Sequence, residues 1–478
     1  MSPLEKIILV IAGISYFSSH KLSKNEVFSM LSFFRSLNHI LWGTPLLLLL
    51  LGTHLYFTLF LHFIQRKTLK GIRLSIAPSQ NKETAGGFTA LATTLAATLG
   101  TGNIIGVSTA IYLGGPGALF WCWLTGILGM ATTYAECYLS SLFRQPKPFL
   151  PSQATHSEQA IQPISYIGGP MYVLEYGLQQ KGLAILYSFC IILSSFGVGC
   201  TTQSNALSAA TWELFKMPPV ITGIITALLA GLVIIGGTNS IEKFCTRLVP
   251  FVGGLYLFSC LFILFLNASY LPAVLQTVFA SAFSPNAAAA GIGGGLLSCS
   301  LKTAARYGIA RGLFTNEAGI GSAGIAAAAS QTKSPKEQAL ISMTATFWDT
   351  VVICALTGLA ILTHLFRFPA SFKNSSAGTL THIAFGQISH WGTTLLGICL
   401  ILFAFATLTG WFYFGQQAFF YLFPKKHPEI YQTMYLVMIF LGAILSLELV
   451  WEISDTINFL LLIPNLIALY GLKDKIKT

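Results

Sequence analysis

Two stretches of this sequence set glycine beside hydroxyl and amide side chains within otherwise apolar runs. The first is Leu99-Gly100-Thr101-Gly102-Asn103, inside the run from Thr89 to Leu113. The second is Gly312-Leu313-Phe314-Thr315-Asn316-Glu317-Ala318-Gly319-Ile320-Gly321-Ser322. Glycine lowers the cost of unwinding a helix, and unwinding frees main-chain N–H and C=O groups. Away from water, freed groups must line an enclosed cavity or meet a ligand. The N-terminal end of a half-helix favours a carboxylate, and freed carbonyls favour a cation. Close helix packing is the other reading of a single glycine pair. Two matched, polar-flanked interruptions point instead to a binding site.

The polar residues around these stretches extend the pattern. Thr94, Thr98 and Thr101 follow i, i+4, i+7 spacing, which sets three hydroxyls on one helix face leading into the first interruption, with Asn103 beyond. Hard cations take oxygen ligands, although a threonine can also bond its own i−4 carbonyl. Thr201-Thr202-Gln203-Ser204-Asn205 is a polar island between apolar flanks, in which Gln203 needs either a ligand or an interhelical hydrogen bond. Thr407 and Trp411 are i, i+4 neighbours in the middle of an apolar run, where an indole can wall a pocket or simply pack. Glu136, Glu317, Asp349, Glu448 and Asp455 fall in or near apolar runs. A charge at the centre of a membrane helix costs about 2.5–3.5 kcal/mol, so each is a candidate functional group. Glu136, Glu448 and Asp455 lie near expected helix ends, where water can reach them. Glu317 has Arg311 and Arg306 nearby as pairing partners, and Asp349 has no evident partner.

The chain that must position these residues is 478 residues long, 54% hydrophobic and 9% charged. Its mean hydropathy is +0.69. Soluble domains carry roughly a quarter charged residues, so this composition is that of a membrane protein. The net charge of +11 is spread over short connectors without interleaved aromatics, which argues against nucleic acid and for a topology signal. The nine cysteines stand singly, with no CxxC and no His/Cys cluster. HExxH, GxSxG and P-loop patterns are all absent, so zinc hydrolysis, an elbow serine and ATP drive lack support.

Runs long enough to span a bilayer, about 20 residues each, fall near 39–64, 86–112, 117–143, 183–209, 219–238, 245–267, 291–330, 338–363, 393–423, 431–449 and 454–472. The expected fold is therefore all-α and polytopic, with about 11 transmembrane helices. With the N-terminus outside, seventeen Lys and Arg fall in cytoplasmic segments against seven outside, with three more in the irregular seventh helix. The division reads as an extension over 1–38, a leading helix at 39–64, five-helix halves over 86–267 and 286–472, and a cytoplasmic tail at 473–478. Within the extension, Ile7–Phe17 is too short to span and reads as surface-lying or disordered. An odd number of spans per half gives the halves opposite orientations, with the two interruptions at corresponding positions. That arrangement points to a transporter site between inverted repeats.

Several blocks resemble the alanine/glycine:cation symporter family. They are Thr89-Ala90-Leu91, Leu99-Gly100-Thr101-Gly102-Asn103-Ile104, Gly114-Gly115-Pro116-Gly117-Ala118, Ala131-Thr132-Thr133-Tyr134-Ala135-Glu136 and Gly168-Gly169-Pro170-Met171-Tyr172. To these are added Arg311 to Ala323, which is highly specific, and Ile463-Pro464-Asn465-Leu466-Ile467. The likeness covers about residues 38 to 472. It implies a leucine-transporter-type 5+5 inverted repeat with one extra N-terminal helix, working by alternating access in a bacterial inner membrane. It also implies sodium coupling and small neutral amino acids as substrates, with no cofactor beyond the transported ion and no obligate protein partner. By motif, Thr101, Gly102 and Gln203 are implied substrate contacts, Phe314 a pocket wall, and Thr407 and Trp411 the polar and aromatic sides opposite. Cation ligation is implied near Thr98, Gly100 and Asn103, and at Thr315 and Thr409. Gln416-Gln417 departs from the family, which often has a charged residue there. Proton coupling through Asp349 or Glu317 is the alternative mechanism; a channel or an intramembrane enzyme is more remote.

Overall fold

Low charge and long apolar runs leave the backbone to satisfy its own hydrogen bonds, and the chain does so almost wholly as helix. The computed structural model describes residues 24–41, 43–77, 87–146, 166–284, 299–330, 332, 334–389, 391–424, 428–445 and 447–477. Helix α1 (Lys24–Leu41) is followed by α2 (Thr44–Phe60) and α3 (Thr68–Ile76). Helix α4 (Gly87–Thr98) and α5 (Val107–Gly114) flank the first interruption and a π-turn at Gly102–Gly106. Next come α6 (Gly117–Leu142), then α7 (Lys181–Phe196) and α8 (Thr202–Phe215), which a π-turn at Gly197–Thr201 joins. Helices α9 (Pro219–Ile235), α10 (Gly237–Leu266) and α11 (Leu271–Phe283) precede α12 (Leu301–Asn316) and α13 (Ser322–Ala329), the two sides of the second interruption. A π-segment, Phe347–Cys354, links α14 (Pro335–Thr346) to α15 (Ala355–Arg367). The chain ends with α16 (Leu380–Phe385), α17 (Gly392–Leu422), α18 (Pro428–Ile444) and α19 (Leu447–Gly471). A two-stranded antiparallel ribbon pairs Gln145 with Ile167 and Pro146 with Tyr166.

Among the described residues, five continuous helices are long and apolar enough to cross a membrane: 117–142, 181–215, 237–266, 335–367 and 392–422. Two bent pairs meet the same test jointly, 45–60 with 64–76 at 64° and 87–98 with 102–114 at 53°. Four shorter apolar helices, 219–235, 268–283, 428–444 and 455–471, complete the set. The chain is thus a multi-pass helical membrane protein.

Several expected runs take a different form. The run at 39–64 stops at Phe60, because His62 and Phe63 turn left-handed (φ 52° and 58°) before the basic helix α3 leaves in a new direction. The run at 291–330 carries its expected interruption, with α12 and α13 on either side of it, and residues 285–298 lie outside the described set. Helix α11 lies in what read as a connector. Its Phe279 and Phe283 pack edge-on against Phe120 at the start of α6. The stretch Ile7–Phe17 lies outside the described residues, but α1 is a defined helix that docks on α19. There Asn38 donates to the Glu452 carbonyl and carboxylate, both at 2.7 Å, and accepts from Thr456 at 2.7 Å.

The segment between α15 and α17 covers α5. Ser108 donates to the Ala377 carbonyl (2.8 Å) and accepts from the Leu380 amide (3.0 Å), and the Thr381 hydroxyl donates to the Ile104 carbonyl (2.9 Å).

Candidate functional site

At the first interruption the helix loses its regular hydrogen bonds, and neighbouring side chains replace them. The Gly100 amide donates to Asn103 Oδ1 (3.0 Å), and the Thr101 amide donates to Gln203 Oε1 (3.3 Å). The Thr407 hydroxyl donates to the Leu99 carbonyl (3.1 Å) as well as to the Phe403 carbonyl of its own helix (3.0 Å). A methyl group on Gly100 would lie 2.7 Å from Thr407 Oγ1 and 3.1 Å from Gln203 Oε1. Gly100, Thr101, Gln203 and Thr407 are therefore one cluster. Within the polar island Gln203 reaches the interruption, whereas Ser204 and Asn205 bond the carbonyls of Ile439 and Gly442 on α18.

The second interruption faces the first. A methyl on Gly102 would stand 2.7 Å from Thr315 Cγ2 and 3.2 Å from Phe314 Cδ1. Helix α12 ends where Glu317 turns left-handed (φ 54°), and Gly319 and Gly321 continue with φ of 97° and 89°, conformations open to glycine. Three helices hold this link in place. The Tyr187 hydroxyl donates to the Ile320 carbonyl (2.8 Å), and the Asn465 amide donates to the Gly319 carbonyl (2.8 Å) and to Glu136 Oε1 (2.6 Å). Glu136 is thus a buried member of the core, 2% exposed, and not a solvated helix-end residue.

Glu317 corrects another expectation. Its partners are the Trp411 indole, which donates to Oε1 at 3.1 Å, and the Ser322 hydroxyl on Oε2. Arg311 instead approaches Asp455 at 3.6 Å. Trp411 is fully buried, with Phe414 edge-on at 5.7 Å. The indole side chain also lies directly over Gly199, leaving no room there for a methyl group.

Asp349, whose partner was not evident from sequence, joins the two interruptions. Its Oδ1 accepts from the Asn103 amide (2.7 Å) and its Oδ2 from the Thr350 hydroxyl (2.7 Å). Thr350 lies 3.3 Å from the Thr315 hydroxyl, so Asn103, Thr315, Asp349 and Thr350 form one oxygen-rich group. Thr350 was not among the residues singled out from sequence; its only signal was adjacency to Asp349. Thr409 lies elsewhere, bonded to the Ala406 carbonyl (2.8 Å) and beside the Cys245 thiol (3.8 Å). The next residue, Gly410, packs against the backbone of Ala97.

The threonine row resolves residue by residue. Thr94 bonds its own i−4 carbonyl at Ala90 (3.0 Å). The hydroxyls of Thr98 and Thr101 are buried without a hydrogen-bond partner among the described residues, as is the amide nitrogen of Asn316. Buried polar groups without partners are costly, so three of them bordering two facing helix interruptions are candidates to meet a bound polar solute. No cluster of three or more His, Cys, Asp or Glu suited to a metal occurs among the described residues.

Facing interruptions in a bundle of apolar helices, lined by hydroxyls, amides and the carboxylates of Asp349 and Glu317, are the arrangement expected of a solute transporter. The fold agrees. The structure superposes on a manganese transporter of Eremococcus coleocola with a TM-score of 0.53 and 14% identity, covering 84% of this chain and 81% of that one. It also matches a sodium-coupled sialic acid symporter in a substrate-bound, outward-open state, with a TM-score of 0.50, 12% identity and coverages of 86% and 82%. The fold is thus of the leucine-transporter type. At the level of sequence, residues 27–478 match the profile of the sodium:alanine symporter family. The chain belongs to that family. It is 40% identical over 447 residues to the sodium/alanine symporter AgcS of Methanococcus maripaludis, covering 92% of this chain and 94% of that one. It is 41% identical over 451 residues to an uncharacterized transporter of Haemophilus influenzae, covering 93% and 94%.

Proposed function

We propose that this protein imports small neutral amino acids, alanine and glycine first and serine with them, by sodium-coupled symport with alternating access. The observation that carries the reading is the meeting of the two interruptions at Gly102, Phe314 and Thr315, with Asp349 bonded to Asn103 beside them. An amino acid is a zwitterion, and the arrangement offers a complement to each end. Thr101 and Gly102 open the half-helix that runs into α5 and take the carboxylate. Gln203 and Thr407 complete the polar side. Phe314 and Trp411 wall the side chain, which restricts it to a small group.

Sodium takes oxygen ligands, and Asp349 supplies the formal charge with Asn103, Thr315 and Thr350 around it. Thr98 and Thr409, on helices α4 and α17 that meet where Gly410 packs on Ala97, are proposed as a second cation position with the main chain near Gly100. One positive charge falling through 100 mV yields about 2.3 kcal/mol to drive accumulation. The two broken helices are the leading members of inverted five-helix halves, with α2 as the extra span, giving eleven crossings. The basic connectors support an N-terminus outside and a C-terminus in the cytoplasm of a bacterial inner membrane. On this orientation α13 points to the cytoplasm, and the segment carrying α16 closes the outer side.

The test is uptake of labelled alanine into liposomes holding the purified chain, under an inward sodium gradient and with unlabelled amino acids as competitors. Saturable uptake that disappears when choline replaces sodium at fixed pH is expected. Uptake that persists in choline and follows a pH gradient would establish proton coupling instead, and flux linear in concentration would indicate a channel.

A further inference from the structure

We infer that Glu317 sets the size limit of the substrate pocket by bracing Trp411, and that it ties this wall to the cytoplasmic half-helix. The inference deepens the proposed function and rests on it. Thr407 and Trp411 lie one turn apart on α17, and Thr407 bonds the Leu99 carbonyl at the first interruption. The indole one turn further along the same face is therefore the bulky group beside the solute. An indole this size, fully buried, needs a partner for its N–H. Glu317 Oε1 is that partner at 3.1 Å. Gly199 lies directly beneath the Trp411 side chain, and Phe414 meets it edge-on at 5.7 Å, so packing fixes its position and the carboxylate fixes its rotation.

The other oxygen of Glu317 accepts from the hydroxyl of Ser322, the first residue of α13. One carboxylate thus joins the pocket wall on α17 to the first turn of the half-helix that leads to the cytoplasm. Glu317 itself is the left-handed residue that ends α12, so it sits at the joint between the two half-helices. A solute that pushes the indole aside pulls on this joint. A solute that leaves the indole in place leaves the joint intact. Glu317 is accordingly a positioning residue: it acts on the solute through Trp411.

The experiment compares Glu317→Ala, Glu317→Gln, Trp411→Phe and the double variant Glu317→Ala with Trp411→Phe in full-length protein. The readout is the ratio of leucine to alanine affinity. It is taken both from competition against sodium-driven alanine uptake and from thermal stabilisation of the purified protein by each amino acid. Glu317→Ala is expected to shift the ratio toward leucine by about tenfold, the order that one or two methylenes are worth in an apolar pocket. Glu317→Gln retains an acceptor for the indole and should stay close to wild type. Trp411→Phe lacks the N–H and should shift the ratio in the same direction, with the double variant adding little further. A merely structural role would lower rate or stability and leave the ratio unchanged, and that result overturns the brace, as does full additivity in the double variant. If Glu317→Ala does not fold, the Trp411→Phe and Glu317→Gln arms still decide: an unchanged ratio in Trp411→Phe sinks the inference. Wild-type protein that shows neither sodium-driven alanine uptake nor stabilisation by alanine refutes the proposed function itself, a separate outcome read from a separate arm.

Discussion

The Asp349 carboxylate is held by neutral donors, the Asn103 amide and the Thr350 hydroxyl. Removing only its charge is therefore an informative change. Asp349→Asn preserves shape and can keep a bond to Asn103, yet withdraws the anionic ligand. The sodium concentration for half-maximal uptake should rise by about tenfold or more, because losing one member of a buried charge pair costs several kcal/mol. An unchanged sodium requirement would remove Asp349 from the cation site. At this scale the sequence was partly legible. Glycine interruptions and the burial of Trp411 were readable from local spacing, whereas Gln203 was visible only as a polar residue in need of a partner. The partner of Asp349 was not, because it lies 246 positions away on a helix whose placement no local pattern encodes. Glu317 was misjudged for a different reason. Arg311 is close in sequence, but the left-handed turn at Glu317 ends the helix and sends the carboxylate toward α17.

The elements follow the physics of backbone satisfaction. Each helix interruption occurs where side chains from other helices supply the missing hydrogen bonds, and this is most evident at Gly319 and Gly321. Gly321→Ala introduces a methyl 2.7 Å from Asn465 Oδ1 in a conformation that costs an L-residue about 1–2 kcal/mol. A lower thermal unfolding midpoint in detergent is expected. Gly182→Ala provides the control, since nothing stands within 4 Å of a methyl at that helical position. Equal midpoints for the two variants would show that the second link tolerates a side chain, contrary to its geometry. Most of the long helices were legible because hydrophobic length is a strong signal. Helix α11 was not, since its thirteen residues are too few to span and its role is to pack Phe279 and Phe283 on Phe120. The end of α2 was missed because a left-handed turn at His62 and Phe63 leaves no mark in hydropathy.

For the whole molecule, the balance of seventeen basic residues against seven makes a directional statement about the membrane. Green fluorescent protein fused after Thr478 should fluoresce in intact bacteria, because it folds in the cytoplasm. A dark but exported alkaline-phosphatase-active C-terminus would invert the topology and, with it, the direction assigned to α13. The other global feature is the docking of α1 on α19. Asn38 meets Glu452, a residue 414 positions later in the chain. Translation at about 5–20 residues per second leaves an interval of roughly 20–80 s between the two. During that time α1 waits for its partner on α19, and the lipid or the insertion machinery must keep it. Among the described residues, biogenesis therefore closes as a ring, with α19 serving as the clasp for α1.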